Sequence, residues 1–320
     1  MTPQRYLRSF LVVFALAGAV VFVWARSDLF PWIGPCNGTA YGADHYLAYC
    51  EYGRYGDYEH GALLYNLEPD AVAAIKRAEL LFLGNSRTQY TFSSEPVVRS
   101  LTDAGIPWYA MGFGFGAKSE IPDAMFDVHG LQPRMLVINA DPFFNDEARG
   151  ISAKILAGSD ETRSEYARKR WLQDLHQRLC ADWGESVFAG LLCGTSPTLF
   201  RSRSNGTWIV DHYRPDRHIA VTYSDHLLDE LDPTAEAAEA FLTRVGVARD
   251  CIVLTVLPQR PTPLAFGKAL AERLDLAFVS PELDDLWTID ASHMDVESNI
   301  RWSTAFMQGI APILSRCLGR

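Results

Sequence analysis

Residues 80–87 of the chain read LLFLGNSR, an apolar run that ends in a glycine turn and a serine. Consecutive apolar residues before a glycine are typical of a short buried strand. Similar runs recur along the chain and alternate with helical patterns of about ten residues, which predicts βαβ units. The predicted strands cover 80–83, 108–111, 135–138, 252–257 and 276–279, and the predicted helices 70–77, 94–104, 120–129, 234–245, 264–274 and 296–314. We therefore expect an α/β fold with about five parallel strands.

Two segments lack this alternation. Residues 31–66 are rich in Gly, Tyr and Asn and show little periodicity, which predicts an irregular segment. Residues 147–217 are mildly basic, with 11 of the 29 Lys and Arg but 9 of the 39 Asp and Glu. We expect this second segment to be an inserted helical cap over the carboxyl edge of the sheet. A solvated helix surface is the alternative explanation of its charges.

The composition restricts the classes of protein to consider. With 320 residues, of which 48% are hydrophobic, the chain can form one sizeable α/β core. Its formal net charge of -10 disfavours a nucleic-acid partner, because phosphate binding requires a basic surface. The sequence contains no H-E-x-x-H, G-x-G-x-x-G or Walker lysine motif, so we predict neither a metal ion nor a nucleotide cofactor.

The N-terminal segment carries a targeting signal. Arg5 and Arg8 precede an uncharged apolar run over residues 10–25. This pattern predicts a cytoplasmic N-terminus and a single-pass anchor in the inner membrane within residues 1–30, although the run is slightly short for a span of about 17 to 25 residues. A cleaved signal peptide is the alternative. In either case residues 31–320 form an exported, periplasmic domain.

The cysteines agree with export, since disulfides form in oxidising compartments. One hypothesis pairs neighbours in sequence, Cys36 with Cys50 and Cys180 with Cys193, which leaves Cys251 for Cys317. Six cysteines allow fifteen connectivities, so this pairing is one of many. The alternative is that some cysteines are reduced and buried, and Cys251, beside apolar residues, is the best candidate for that state.

Two polar motifs follow predicted strands, at the sheet edge where open α/β sheets bind ligands. Ser86 lies at the turn after the strand over 80–83. Its hydroxyl becomes a nucleophile when a base takes the proton, and the turn offers the serine N–H to an oxyanion. In the second motif Asp290 and His293 are three residues apart, so the carboxylate can orient an imidazole whose other nitrogen faces a nucleophile. Taken alone, Ser86 has the alternative role of capping the next segment.

Together the two motifs resemble the SGNH (GDSL-like) hydrolase superfamily, in which a Gly-x-Ser block follows the first sheet strand and Asp-x-x-His precedes the last helix. The resemblance covers about residues 78–145 and 250–317 and keeps the chain order Ser, Asp, His. It implies a flavodoxin-like, three-layer fold. It also implies Ser86 as nucleophile, His293 as general base and acid, and Asp290 as the residue that orients the histidine.

The middle blocks of the family match this chain less well. Members place a glycine after the second strand and an asparagine after the third, and both point with the serine N–H at the oxyanion. The chain supplies glycines at the first place, so the resemblance implies Gly114 or Gly116 as a backbone donor, with a tight turn as the alternative reason for them. The family pattern Gly-x-Asn-Asp is missing at the second place, where Asn139 is the expected side-chain donor and Asn145 the alternative.

The resemblance implies one of two functions. As an enzyme, the chain acts on acyl esters through an acyl-serine intermediate that water or a sugar hydroxyl resolves. Exported SGNH proteins of this layout resemble those that add or remove O-acetyl groups on cell-envelope polysaccharide. The expected partners are then an acylated polysaccharide or small acyl ester, the membrane, and a multi-span membrane acyltransferase. The alternative is a non-catalytic glycan-binding or scaffold subunit of an envelope polysaccharide assembly.

Overall fold

The computed structural model describes residues 3–26, 42–50, 58–114, 117–144, 148–182, 198–211, 218–225 and 230–319. The strands are β1 (His45–Cys50), β2 (Leu80–Asn85), β3 (Trp108–Phe113), β4 (Met135–Asn139), β5 (Thr198–Ser202), β6 (Trp208–Asp211), β7 (Ile219–Ala220), β8 (Ile252–Thr255), β9 (Ala277–Phe278) and β10 (Trp287–Thr288). The helices are α1 (Pro3–Arg26), α2 (Tyr58–Leu64), α3 (Pro69–Arg77), α4 (Ser86–Phe92), α5 (Glu95–Asp103), α6 (Glu120–His129), α7 (Gly150–Ala157), α8 (Asp160–Asp182), α9 (Leu231–Val245), α10 (Leu264–Leu274) and α11 (Val296–Leu318).

Five parallel strands form the central sheet in the order β3-β2-β4-β8-β9. Their side chains alternate between two apolar layers, as the period of two in a strand requires. In β2, Leu81 and Leu83 pack on the face covered by α3, α6, α9 and α10, whereas Leu80 and Phe82 pack on the face covered by α5 and α11. Both faces are buried, which explains the continuous apolar runs in the sequence. The predicted α/β fold with five parallel strands is confirmed.

The element bounds agree closely with the periodicity, with one omission. α6 and α10 begin and end at the predicted residues, and α11 continues four residues further than expected. α4, however, begins at Ser86 itself, where we predicted only a turn. A short helix such as α4 gives too little periodic signal to be read from sequence.

The prediction for residues 147–217 is partly wrong. The segment contains α7 and α8, but β5 and β6 follow them as an antiparallel hairpin. This hairpin pairs with β1 in a separate three-stranded sheet, so residues 31–66 are not irregular throughout either. Among the described residues of the segment, none joins the central sheet as a parallel strand. Instead, the hairpin lies beside the edge strand β3, where the Ala110 N–H donates to the Asn205 carbonyl at 2.9 Å.

A buried ion pair explains why this hairpin escaped prediction. Arg201, on β5, is fully buried and donates to the Glu59 carboxylate at 2.9 Å and to the Gly112 carbonyl at 3.2 Å. Trp208 Nε1 donates to the same carboxylate at 3.2 Å. The edge of β3 is thus covered by charged groups that neutralise one another, whereas the sequence rule assigns such charges to solvent.

Cys251 and Cys317 form a disulfide with their Cα atoms 5.7 Å apart, which confirms this pair of the predicted set. It joins the start of β8 to the end of α11. The other two predicted pairs, Cys36 with Cys50 and Cys180 with Cys193, lie outside the residues whose side chains the structure describes.

The predicted N-terminal anchor corresponds to α1, which is helical over Pro3–Arg26. Within the described part of the chain, no helix combines the length and apolar character needed to cross a membrane.

Candidate functional site

The structure brings the three predicted triad residues together at the carboxyl edge of the sheet. His293 Nε2 lies 3.0 Å from Ser86 Oγ, and His293 Nδ1 lies 2.7 Å from Asp290 Oδ2. Some two hundred residues of chain separate the serine from the histidine, so the fold alone makes this contact. The arrangement is that of a nucleophile hydrogen-bonded to a base, which is in turn oriented by a carboxylate.

Asp290 is held in its ionised form. Burial alone would raise the pKa of this carboxyl, but the hydrogen bond and charge of His293 and the N–H groups of His293 and Ser292 hold it well below its usual range. Those N–H groups donate to Oδ1 at 2.7 Å and 2.9 Å. An ionised Asp290 accepts a hydrogen bond from His293 Nδ1–H, which leaves Nε2 free to accept one from Ser86 Oγ–H.

Backbone hydrogen bonds fix the loop that carries Asp290 and His293. The Ile289 N–H donates to the His293 carbonyl at 2.8 Å, and the Arg260 N–H donates to the Ala291 carbonyl at 2.9 Å. Ala291 adopts φ of 69°, a left-handed conformation that costs a non-glycine residue about 1 kcal/mol or more. The loop therefore keeps a bent conformation that places both ring nitrogens of His293 opposite their partners.

Ser86 is positioned by the close approach of α4 to the sheet. Asn85 ends β2 and caps α4, since its side-chain oxygen accepts from the Arg87 N–H at 3.0 Å. A Cβ at Gly84 would lie 2.0 Å from Thr88 Oγ1, and one at Gly112 would lie 2.5 Å from the Asn85 carbonyl oxygen. Only glycines at these positions let the helix start directly at the end of the strand, with Ser86 as its first residue.

Arg87 connects the serine turn to two other loops. Its Nη2 donates to the Asp141 carbonyl at 2.6 Å and lies 3.3 Å from the Asp141 carboxylate, which the Gln259 amide also contacts. Its Nη1 donates to Ser292 Oγ, beside the triad, at 3.3 Å. Burial lowers the pKa of Arg87, whereas the charges of Asp141 and Asp290 oppose that effect. The guanidinium therefore links the start of α4 to the loops that follow β4 and β10.

Among the predicted oxyanion donors, Gly114 has the best placement. Asn85 pairs with Phe113 in register, so Ser86 and Gly114 leave neighbouring strands side by side. Gly116 lies outside the described residues, as does Asn145. Asn139 is fully buried, and its amide donates to the Asn85 side-chain oxygen at 3.4 Å and to the Asp141 carbonyl at 3.2 Å. Both N–H groups of Asn139 therefore already have acceptors inside the protein.

Sequence reasoning missed the cluster of Arg87, Asp141 and Gln259. Two of these residues gave a usable signal, because Asp141 and Gln259 follow β4 and β8 closely at the edge that carries Ser86. Tyr90 was also missed: its ring lies edge-on to the His293 imidazole, with centroids 5.6 Å apart. Its position four residues after Ser86 could have indicated this contact only if α4 had been recognised.

Within the described ranges, no group of three or more His, Cys, Asp and Glu side chains is arranged to hold a metal ion. Comparison with protein-family models, curated proteins and solved structures finds no match to this chain.

Proposed function

We propose that the chain is a serine esterase or O-acyltransferase of the SGNH kind. The observation that carries this proposal is the continuous hydrogen-bonded path from Ser86 through His293 to Asp290. The order of the central sheet gives further support, because it is the 2-1-3-4-5 order of flavodoxin-like folds, with the site at their switch point.

In the proposed reaction, Ser86 Oγ attacks the carbonyl carbon of an acyl ester while His293 Nε2 takes its proton. The tetrahedral intermediate collapses when His293 returns this proton to the leaving alkoxide oxygen, and the acyl group remains on Ser86. Water then resolves the acyl-serine in hydrolysis, or a sugar hydroxyl resolves it in transfer, again with His293 as base. Asp290 stabilises the imidazolium formed at each step.

The oxyanion would accept hydrogen bonds from the N–H groups of Ser86 and Gly114. Gly116 remains a further candidate donor. Asn139 is the weakest member of this set, because its use as a donor would require it to release the Asn85 and Asp141 oxygens. Its occupied amide is the one observation that favours the alternative of a non-catalytic scaffold subunit.

We further propose that the domain works outside the cytoplasm on acylated cell-envelope polysaccharide. The Cys251–Cys317 disulfide supports an oxidising compartment. Export is part of the proposal whether the N-terminal segment is a retained anchor or a cleaved leader. A multi-span acyltransferase as acyl donor belongs to the transferase form of the proposal.

A fluorophosphonate probe tests the catalytic proposal directly, because it reacts with an activated serine. We expect it to label wild-type protein at Ser86. Ser86→Ala should abolish labelling and lower turnover of 4-nitrophenyl acetate by about 10⁴-fold or more, and His293→Ala should cost a comparable factor because triad members act as a unit. Ser100→Ala, an exposed serine on α5, is the matched control and should change neither.

The scaffold alternative makes the opposite prediction. If folded wild-type protein is neither labelled nor active, or if Ser86→Ala retains wild-type turnover, the catalytic proposal is wrong. Thermal unfolding of each variant establishes that the protein tested is folded, since removal of one hydroxyl at the site should leave Tm nearly unchanged.

A further inference from the structure

A cleft of about 310 Å³, which we call the Tyr90 cleft, is lined by Tyr90, Ser93, Ser94, Glu95, Trp208, Val296, Asn299 and Ile300. Tyr90 lies one helical turn after Ser86 on α4, and its ring also lies edge-on to the His293 imidazole. The opposite wall is the first part of α11, with Val296, Asn299 and Ile300. Because α11 begins three residues after His293, both walls continue directly from catalytic residues. An occupant that contacts Tyr90 would therefore be one side chain away from His293.

Trp208 forms a third side of the Tyr90 cleft and is held at two points. Its backbone N–H donates to Ser93 Oγ at 2.7 Å, and its indole Nε1–H donates to Glu59 at 3.2 Å. Glu59 is itself fixed by the buried ion pair with Arg201. The hairpin that covers the edge of β3 therefore presents a rigid aromatic ring to the cleft. A preorganised ring can bind a ligand without first losing side-chain entropy.

The side wall formed by α11 includes an acceptor without a donor. Asn299 is more than nine-tenths buried, and its Nδ2 donates to the Tyr90 carbonyl at 3.3 Å. Its Oδ1 has no hydrogen-bond partner among the residues that the structure describes. A buried acceptor left unpaired costs about 1–3 kcal/mol. Because this oxygen has almost no exposed surface, a ligand hydroxyl gains a specific contact with it when the Asn299 amide turns toward the cleft.

We infer that the Tyr90 cleft binds one pyranose ring of the substrate, next to the acyl group that Ser86 attacks. Aromatic faces at Tyr90 and Trp208 suit the C–H faces of a sugar ring, and Val296 and Ile300 add apolar surface. Asn299 Oδ1 suits one of its hydroxyls. An alkyl chain of a lipid-like ester would match Val296 and Ile300 but not the polar lining of Ser93, Ser94 and Glu95. This inference rests on the proposed function, since it assigns the sugar side of the same ester.

The test compares two kinds of acetate ester as substrates of the full-length protein. The first kind is a set of mono-O-acetylated disaccharides built from glucose, galactose or N-acetylglucosamine. The second is 4-nitrophenyl acetate. Two variants alter the cleft: Asn299→Leu, and Ile300→Trp, which fills it from an exposed position. In each, we expect kcat/KM for the best sugar ester to fall at least tenfold relative to kcat/KM for 4-nitrophenyl acetate. Val128→Trp, which places the same ring on an exposed aliphatic position of α6, should leave the ratio unchanged.

A binding measurement separates failure of the inference from failure of the proposed function. Calorimetry with Ser86→Ala and the unacetylated disaccharides should show binding that Ile300→Trp removes, whether or not wild-type protein hydrolyses any ester. If wild-type protein is active but neither Asn299→Leu nor Ile300→Trp changes the ratio of the two kcat/KM values, the sugar site is overturned and the proposed function stands. The sugar site is also overturned if wild-type protein prefers 4-nitrophenyl esters with longer acyl chains and Ile300→Trp abolishes that preference. The cleft would then hold the acyl chain. Sugar binding without ester hydrolysis supports the cleft and overturns the catalysis.

Discussion

The two ion pairs Asp290–His293 and Arg201–Glu59 differ in exposure and in what they do. The Asp290–His293 pair at the triad is partly open, with 38% of the aspartate side chain and 20% of the histidine side chain exposed. The Arg201–Glu59 pair behind Trp208 is closed, with 0% and 4% exposed. An open pair can exchange protons with solvent and substrate, whereas a closed pair between a strand and a helix can only hold its surroundings in place. The comparison predicts that the first pair governs turnover and the second governs stability.

Asp290→Asn provides the largest effect and the sharpest test of the first half of the comparison. The asparagine amide would donate to Nδ1, which forces the histidine proton onto Nε2 and removes the base. We expect turnover of 4-nitrophenyl acetate to fall about 10⁴-fold, as replacement of a triad aspartate does elsewhere, with Tm almost unchanged. A loss below tenfold would show that His293 does not depend on Asp290.

Arg201→Met tests the second half of the comparison. It leaves the Glu59 carboxylate buried without its partner, so the free energy of unfolding should fall by about 3–5 kcal/mol. Arg244→Met, at the exposed Arg244–Asp123 pair, is the matched control and should cost at most about 1 kcal/mol. Chemical denaturation measures both values. Equal costs for the two variants would mean that burial does not distinguish the pairs.

The Arg201 result can be checked further with a double variant. Replacing both partners, as Arg201→Met with Glu59→Leu, removes the unpaired charge and should recover part of the stability. Burial alone would lower the pKa of Arg201, but the charge and hydrogen bond of Glu59 raise it above its usual value. The arginine therefore stays charged at any pH at which the protein folds, in contrast to the open pair.

The pH dependence of stability gives the smallest effect. The folded-state pKa of Asp290 is depressed, so its contribution is fully present above its unfolded pKa of about 3.9 and is lost as pH falls through the lower folded value. The stability advantage of wild type over Asp290→Asn should therefore shrink as pH falls below roughly 4. Because the pair is exposed, the change should be at most about 1 kcal/mol. An advantage that is undiminished at about pH 2 contradicts this assignment of charge.

The sequence predicted the central sheet and the triad because both produce local patterns. Apolar runs such as residues 80–83 identify strands that are buried on both faces, and Asp290 and His293 lie three residues apart in one loop. The expectation that Ser86 meets His293 came from the resemblance to SGNH hydrolases and from the need of an activated serine for a nearby base. Neither reason depends on side-chain packing.

The remaining features depend on contacts between residues that are distant in sequence. Arg201 meets Glu59 across 142 positions, so its burial leaves no trace in the composition of its own segment. Asn139 was expected to face the oxyanion, but the neighbouring Asn85 and Asp141 oxygens compete for its amide. A prediction from spacing cannot decide which acceptor such an amide selects.

The Cys251–Cys317 disulfide closes a covalent ring, since 66 positions separate its two cysteines. Asp290, His293 and the α11 side of the Tyr90 cleft all lie within this ring, while Ser86 lies outside it. A single proteolytic cut in the 279–286 connection would therefore leave one molecule on a non-reducing gel and two fragments after reduction. Ser86 and His293 would then lie on two fragments that a reductant separates.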